Sequence, residues 1–205
     1  MTPAVTRAPV AAPVAVSRTF FVAPMAVLSI VALALVHLIS IGRVDPVEQT
    51  MSMYGVHPQS AGLFALGCTA LAVACLALAH RLPRPGRPAA YGAAVMLVLL
   101  VAFPTDTGDG PLSLSAQIHR YAAGAAFVLI ALTMCAAVRR TTSRGVLVAL
   151  IAVAAIVLAL TVIGAFAPDV AAISQWRGIP QRVLLLDYAI AIALIGGRPR
   201  QSIPT

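Results

Sequence analysis

Long apolar runs separated by short polar segments dominate the pattern of this chain. A helix needs about 20 apolar residues to cross a bilayer. Six segments meet that need, and we predict spans at 20–41, 60–79, 89–103, 116–138, 145–167 and 178–196. The pattern predicts an all-α integral membrane bundle of six transmembrane helices over 20–197. A disordered cytoplasmic tail is predicted at 1–19, and a second cytoplasmic tail at 198–205.

The composition supports a membrane protein and excludes most other classes. Of the 205 residues, 60% are hydrophobic and only 10% are charged, whereas a soluble domain has about 25% charged residues. All 14 basic residues are arginines, and they lie between the apolar runs rather than in one basic patch. We therefore expect the lipid bilayer as a partner and no nucleic acid.

The distribution of the arginines predicts the orientation of the chain. They cluster in the first tail, in the loop after the second span, in the loop after the fourth span and in the last tail. The alternate loops carry Asp45, Glu48, Asp106, Asp109 and Asp169 instead. Because arginine-rich loops stay in the cytoplasm, both termini are predicted to be cytoplasmic in a multi-pass protein of the plasma membrane.

Ionisable side chains inside the apolar runs are the first candidates for chemistry, because a charge inside hydrocarbon costs about 2.5–3.5 kcal/mol on insertion scales. Asp187 lies near the middle of the sixth span, and His37 lies about one turn before the outer end of the first. A carboxyl group removed from water favours its protonated form. Asp187 is therefore a candidate acid, or else a structural ion pair with Arg120 or His37.

Most other polar and aromatic candidates lie toward the predicted outer end of the bundle. Proton transfer would involve four residues: Asp187, Asp106, His119 and His37. Substrate contacts are expected from Arg120, Gln181, Arg182, Phe103, Tyr121, Tyr188 and Trp176. Asp106, Asp109, His119 and His57 together offer ligands that suit Mn or Zn. No recognised metal motif contains them, however, so no metal and no cofactor are predicted.

Three stretches resemble a known family: DPVEQTMSMYG at 45–55, FPTDTGDGPLSLSAQIHRYAAGAAF at 103–127, and GIPQRVLLLDYAIA at 178–191. They are similar to the six-helix membrane proteins catalogued as domain of unknown function nine-nine-eight. The most specific matching positions are Phe103, Pro104, Thr105, Asp106, His119, Gln181 and Arg182. The resemblance implies the fold and the topology but no settled activity. Because members occur beside genes for specialised metabolites, terpenoid cyclisation becomes a hypothesis.

Three functions are compatible with these observations. The favoured hypothesis is an enzyme that uses acid/base chemistry on a lipid or isoprenoid, an apolar small molecule, in an outward-facing pocket. A non-catalytic membrane accessory protein would use the same charged groups only for structure. A small proton-coupled transporter would use Asp187 as a proton carrier, and would require a homodimer to form a pathway. All three depend on whether the ionisable side chains meet in one cavity.

Overall fold

A computed structural model describes residues 21–107, 110–166 and 175–197, and all regular secondary structure within these ranges is helical. The six long helices are α1 (Val22–Ile39), α2 (Ala61–Ala79), α3 (Arg87–Ala102), α4 (Leu114–Ala137), α5 (Arg144–Phe166) and α6 (Gly178–Gly196). Three short 3₁₀ helices stand at Met51–Gly55, Arg84–Gly86 and Val138–Arg140.

All six predicted spans are confirmed as helices that are long and apolar enough to cross a membrane. Their ends agree with the predicted bounds to within two residues. The third span is short as an α-helix, but the 3₁₀ turn at Arg84–Gly86 extends it to a segment of 19 residues. Both predicted tails, 1–19 and 198–205, lie outside the described residues.

The helices form a bundle in which α2 packs against α1 and α3, α3 packs against α4, and α6 packs against α1 and α5. Small residues allow close approach at several crossings, as is usual where helices associate in lipid. A side chain at Gly67 would collide with Leu33, and one at Gly196 would collide with Val22. Because α6 contacts α1 directly, the last helix closes the bundle beside the first.

The bundle has two chemically different ends. At one end, which we call the site end, the segment 45–56 contacts the start of α6, and the residues after α3 adjoin the start of α2. At the opposite end, the side chain of Arg81 donates to the carbonyl of Gly196 over 2.7 Å. That arginine end carries Arg81, Arg84, Arg87, Arg139, Arg140 and Arg144. The cytoplasmic placement of the arginine end remains a prediction.

Candidate functional site

Arg182 is the centre of the polar contacts at the site end. It lies in the second turn of α6, and its guanidinium is partly buried. Nε donates to Nε2 of His37 over 2.9 Å, and Nη2 donates to the hydroxyl of Tyr54 over 3.0 Å. Nη1 donates to the carbonyls of Gln49 and Gly178 over 2.8 and 2.9 Å. All four partners are neutral, so a positive charge is held here without a bonded carboxylate from the part of the chain that the structure describes.

His37 has both ring nitrogens engaged. Nδ1 lies 2.6 Å from the carbonyl of Leu33, one turn earlier in α1, and Nε2 accepts from Arg182. Since a carbonyl can only accept, Nδ1 carries the hydrogen and the ring is neutral. The ring of Tyr54 packs against it with centroids 5.0 Å apart. His37 therefore orients Arg182 and has no free lone pair for use as a base.

The segment after α1 is bound to the start of α6 by several further contacts. The amide of Gly178 donates to the carbonyl of Val47 over 2.9 Å, and Gln181 Oε1 accepts from the amide of Met51 over 3.1 Å. Nε of Arg177 donates to the carbonyl of Glu48 over 3.0 Å. Gln181 thus contacts backbone rather than a cavity.

Asp45 organises the turn that begins this segment. Its Oδ1 accepts from the amides of Val47 and Glu48 over 2.7 and 3.1 Å. These two hydrogen bonds favour the ionised carboxylate and hold the pKa of Asp45 below its usual value. The carboxylate of Asp45 therefore fixes the backbone that presents Gln49 and Tyr54 to Arg182.

Arg182, His37, Tyr54 and Gln49 form what we call the cluster. A groove of about 200 Å³ lies directly beside it, between α1 and α6. Its polar end is formed by His37 and Arg182, and the rest of its wall is apolar: Ile30, Leu33, Ala34, Met51, Leu185, Leu186 and Ala189. A guanidinium has five N–H donors. Four of them make the contacts described above, which leaves one hydrogen on Nη2 without an acceptor among the described residues.

His119 belongs to a different cavity. It lies on the buried face of α4 and is 5% exposed. Its Nδ1 is 3.0 Å from the carbonyl of Leu100 and 2.8 Å from that of Phe103, both at the end of α3. The ring lines a cavity of about 140 Å³. His119 is therefore not part of the cluster around Arg182.

Asp106 binds the residue that caps the start of α4. Its carboxylate accepts from the amide of Ser113 over 2.7 Å and from the Ser113 hydroxyl over 2.8 Å. The Ser113 hydroxyl oxygen in turn accepts from the amide of Ala116, which places Ser113 as the N-cap. The contacts with Ser113 hold the pKa of Asp106 below its usual value. Asp106 thus stays ionised at the surface and has a structural partner.

Asp187 lies on the buried face of α6, away from the cluster. It is 5% exposed, and its Oδ2 has no hydrogen-bond partner within the described ranges. The predicted ion pair with His37 is not formed, because both ring nitrogens of His37 are engaged with Leu33 and Arg182. The neighbouring Tyr188 is fully buried, and its hydroxyl donates to the carbonyl of Phe127 over 2.7 Å. Tyr188 therefore joins α6 to α4 and does not contact either cavity.

The remaining predicted contact residues are more peripheral. Tyr121 and Trp176 are 69% and 56% exposed, and Arg120 is also exposed. Phe103 is half-buried at the end of α3. Asp109 lies outside the described residues. No group of three potential metal ligands occurs in the part of the chain that the structure describes.

Two residues of the cluster were not singled out as site residues from the sequence. Tyr54 contributes its hydroxyl, and Gln49 contributes its backbone carbonyl. Their partner Arg182 is 128 and 133 positions away. No spacing rule connects residues that far apart, so only the packing of the segment 45–56 on α6 could identify them.

The fold and the cluster define a multi-pass membrane protein with a cationic site beside an apolar groove. The chain belongs to the family described as "Protein of unknown function (DUF998)", whose model matches residues 14–197. The family resemblance expected from the sequence is thereby confirmed. Neither the curated proteins nor the solved structures contain a match to this chain.

Proposed function

We propose that this protein binds an amphipathic lipid with an anionic head group in the groove between α1 and α6. The observation that carries the proposal is the guanidinium of Arg182, which lies at the end of an apolar groove and has only neutral hydrogen-bond partners among the described residues. A charge in a medium of low dielectric attracts a counter-charge strongly. A phosphate or carboxylate oxygen would meet the remaining N–H of Nη2 and neutralise that charge.

The shape of the groove supports a hydrocarbon chain attached to such a head group. Ile30 lies seven residues before His37, and Ala189 lies seven residues after Arg182, so both are about 10 Å deeper along their helices. Between these levels every lining side chain is apolar. An alkyl or isoprenoid chain would therefore run along the groove toward the middle of the bilayer.

The groove is also accessible from the side. Ala34 and Leu186 are exposed on the surface of the bundle, Leu186 by 50%, although both line the groove. A lipid in the surrounding membrane could enter between α1 and α6 without crossing water. With the arginine end in the cytoplasm, as predicted, the head group would lie in the outer leaflet of the plasma membrane.

The proposal is tested by lipid retention in detergent, with native mass spectrometry as the readout. Phosphatidylglycerol and phosphatidylcholine with the same acyl chains are offered in equal amounts. We expect the wild type to retain the anionic lipid about tenfold more, and Arg182→Gln to lose this preference, because a charge-assisted hydrogen bond is removed. Arg43→Gln, which removes an exposed charge at the same end whose guanidinium contacts only the carbonyl of Ile39 among the described residues, should keep this preference.

A second pair of variants tests the groove without altering the polar cluster. Ala34→Phe places a ring in the groove and should reduce retention of both lipids. Leu35→Phe adds a ring at the neighbouring exposed position and should not. Equal retention of the two phospholipids by the wild type, or unchanged retention by Ala34→Phe, would contradict the proposal.

An enzyme that protonates an isoprenoid is the second candidate function. The observation that favours it is the buried carboxyl of Asp187, which has no hydrogen-bond partner on Oδ2 among the described residues. An acid held in a dry environment suits alkene protonation. Asp187→Asn should then abolish conversion of the isoprenoid while lipid retention stays intact. Full conversion by this variant would exclude Asp187 as the acid.

A further inference from the structure

The cavity beside His119 is separate from the groove. It lies among the first turn of α2, the end of α3 and the segment Met51–Gly55. Met51 lines the groove, whereas Ser52 and Gly55 line this cavity, so the same short helix stands between the two spaces. Nothing in the proposed lipid site uses this second space.

The hydrogen bonds of His119 fix which ring nitrogen is available. Nδ1 is within hydrogen-bond distance of two carbonyl oxygens, those of Leu100 and Phe103. Two acceptors can share only a hydrogen that Nδ1 itself carries. In the neutral ring Nε2 is therefore an acceptor, and no described residue donates to it. His119 is 5% exposed, so most of the ring is shielded from bulk water.

The end of α3 holds the ring in this position. Leu100 and Phe103 lie where the last carbonyls of a helix lose their intrahelical partners. Pro104 has no amide hydrogen with which to continue the helix. His119 supplies the missing donor from α4, one helix away. The ring is thus held firmly by its Nδ1, and Nε2 is left for a ligand.

The cavity wall restricts the chemistry of that ligand. Ala61, Phe64, Ala65 and Val101 make most of it apolar, and no charged side chain lines it. Its volume of about 140 Å³ is close to that of an apolar cavity that holds one benzene ring. Besides the imidazole acceptor, the hydroxyl-bearing Ser52 and Thr105 line the cavity. A buried acceptor in a largely apolar space of this size matches a neutral molecule with one hydroxyl and a compact hydrocarbon body.

We propose that this cavity is a binding site for a small alcohol or phenol, whose hydroxyl donates to Nε2 of His119 and whose hydrocarbon part fills the space against Phe64 and Ala65. An ordered water is the competing occupant. A buried water is held by two to four polar partners. Besides Nε2, the one side-chain polar group that the described cavity wall offers is the hydroxyl of Thr105, since the hydroxyl of Ser52 is already paired with that of Thr50 over 2.8 Å.

The test uses the full chain in nanodiscs, with phenol and toluene as probes of equal size. Binding above that of empty nanodiscs is measured, together with the ¹⁵N shifts of labelled histidines. We expect phenol to bind about tenfold more tightly than toluene, because only phenol satisfies Nε2. Phenol should also move the Nε2 signal of His119 and leave that of His80 unchanged.

Variants distinguish the contribution of the hydrogen bond from that of the cavity volume. His119→Phe should remove the preference for phenol, and Ala65→Leu should weaken both probes by filling the cavity. His80→Phe replaces an exposed ring at the arginine end and should change the binding of neither probe. If His119→Phe does not fold, Ala65→Leu and the ¹⁵N signal decide the question. Equal binding of the two probes, or an unmoved Nε2 signal of His119, would show that Nε2 accepts no hydrogen bond from a hydroxyl ligand and would overturn the proposal.

Discussion

Nε of Arg182 donates a hydrogen bond of 2.9 Å to Nε2 of His37, which lies 145 positions earlier in the chain. The bond joins the start of the last helix to the end of the first. It also sets the tautomer of the histidine, because Nδ1 must then donate to Leu33. The contact between α1 and α6 therefore depends on a neutral imidazole in one orientation.

The first prediction concerns that imidazole. His37→Phe removes the acceptor and leaves the Nε–H of Arg182 without a partner, which should lower the free energy of unfolding by about 1–3 kcal/mol. His37→Gln keeps a side-chain acceptor and should lower the free energy of unfolding by less. Thermal unfolding in nanodiscs measures both. A His37→Phe protein as stable as the wild type would mean that the bond contributes nothing to the helix contact.

The second prediction concerns Gly178, the first residue of α6. A Cβ at this position would overlap the carbonyl oxygen of Gln49 and lie 2.6 Å from that of Pro46 and 2.7 Å from Nη1 of Arg182. Because two of these atoms belong to the backbone, a side-chain rotation cannot remove the overlap. We expect Gly178→Ala to displace the segment 45–56 from α6 and to abolish the preference for anionic lipid.

The matched control for this change is Gly124→Ala in α4, where a new Cβ would meet nothing within 4 Å. This variant should keep its lipid preference and gain up to about 1 kcal/mol from better helix propensity. Protection of the amides of 45–56 from hydrogen exchange distinguishes the two variants. Unchanged protection in Gly178→Ala would show that the segment accommodates the extra methyl group.

The architecture could be predicted from the sequence to a large extent, because the length of an apolar run determines whether it spans a bilayer. The ends of α6 coincide with the predicted span, and Pro104 does follow the end of α3. The site was predicted less well. His37 and Arg182 were among the candidates, but nothing in either local sequence indicated that they bond to each other.

The placement of the acidic candidates illustrates the physical reason. Asp106 and Asp187 are unusual because each places a carboxylate in an otherwise apolar chain. The sequence therefore marks both as candidates but does not indicate which groups they contact. One caps α4 through Ser113, and the other faces the buried side of α6. Which groups surround a side chain depends on how helices rotate about their axes, and that is decided by packing across the bundle.

The third prediction is a pH dependence at the start of α4. The pKa of Asp106 is lowered from 3.8 by its contacts with Ser113. A lowered pKa contributes stability that is present above pH 3.8 and is lost as the pH falls through the folded-state value. The protection of the Ser113 and Ala116 amides from hydrogen exchange, relative to the intrinsic rate at the same pH, should therefore fall in acid below about pH 4.

Asp106→Asn isolates the cause of this effect. The amide side chain still offers an oxygen to Ser113 but does not titrate in this range, so the acid-dependent part of the exchange should disappear. Exchange at neutral pH should be faster than in the wild type, because a charged acceptor has been replaced by a neutral one. An identical acid response in both proteins would assign it to another group.

The last prediction compares two adjacent residues of α6 that should respond in opposite directions. Oδ2 of Asp187 is buried without a partner among the described residues, and an unsatisfied polar group costs about 1–3 kcal/mol in proteins. Asp187→Leu should therefore raise the free energy of unfolding by an amount of that order. Tyr188→Phe removes the 2.7 Å hydrogen bond to Phe127 and should lower the free energy of unfolding by about 0.5–1.5 kcal/mol.

A stabilised Asp187→Leu protein would mean that the carboxyl is retained at a cost to folding, as expected of a group that serves function. Destabilisation by this change would instead assign Asp187 a structural role in the packing of α6.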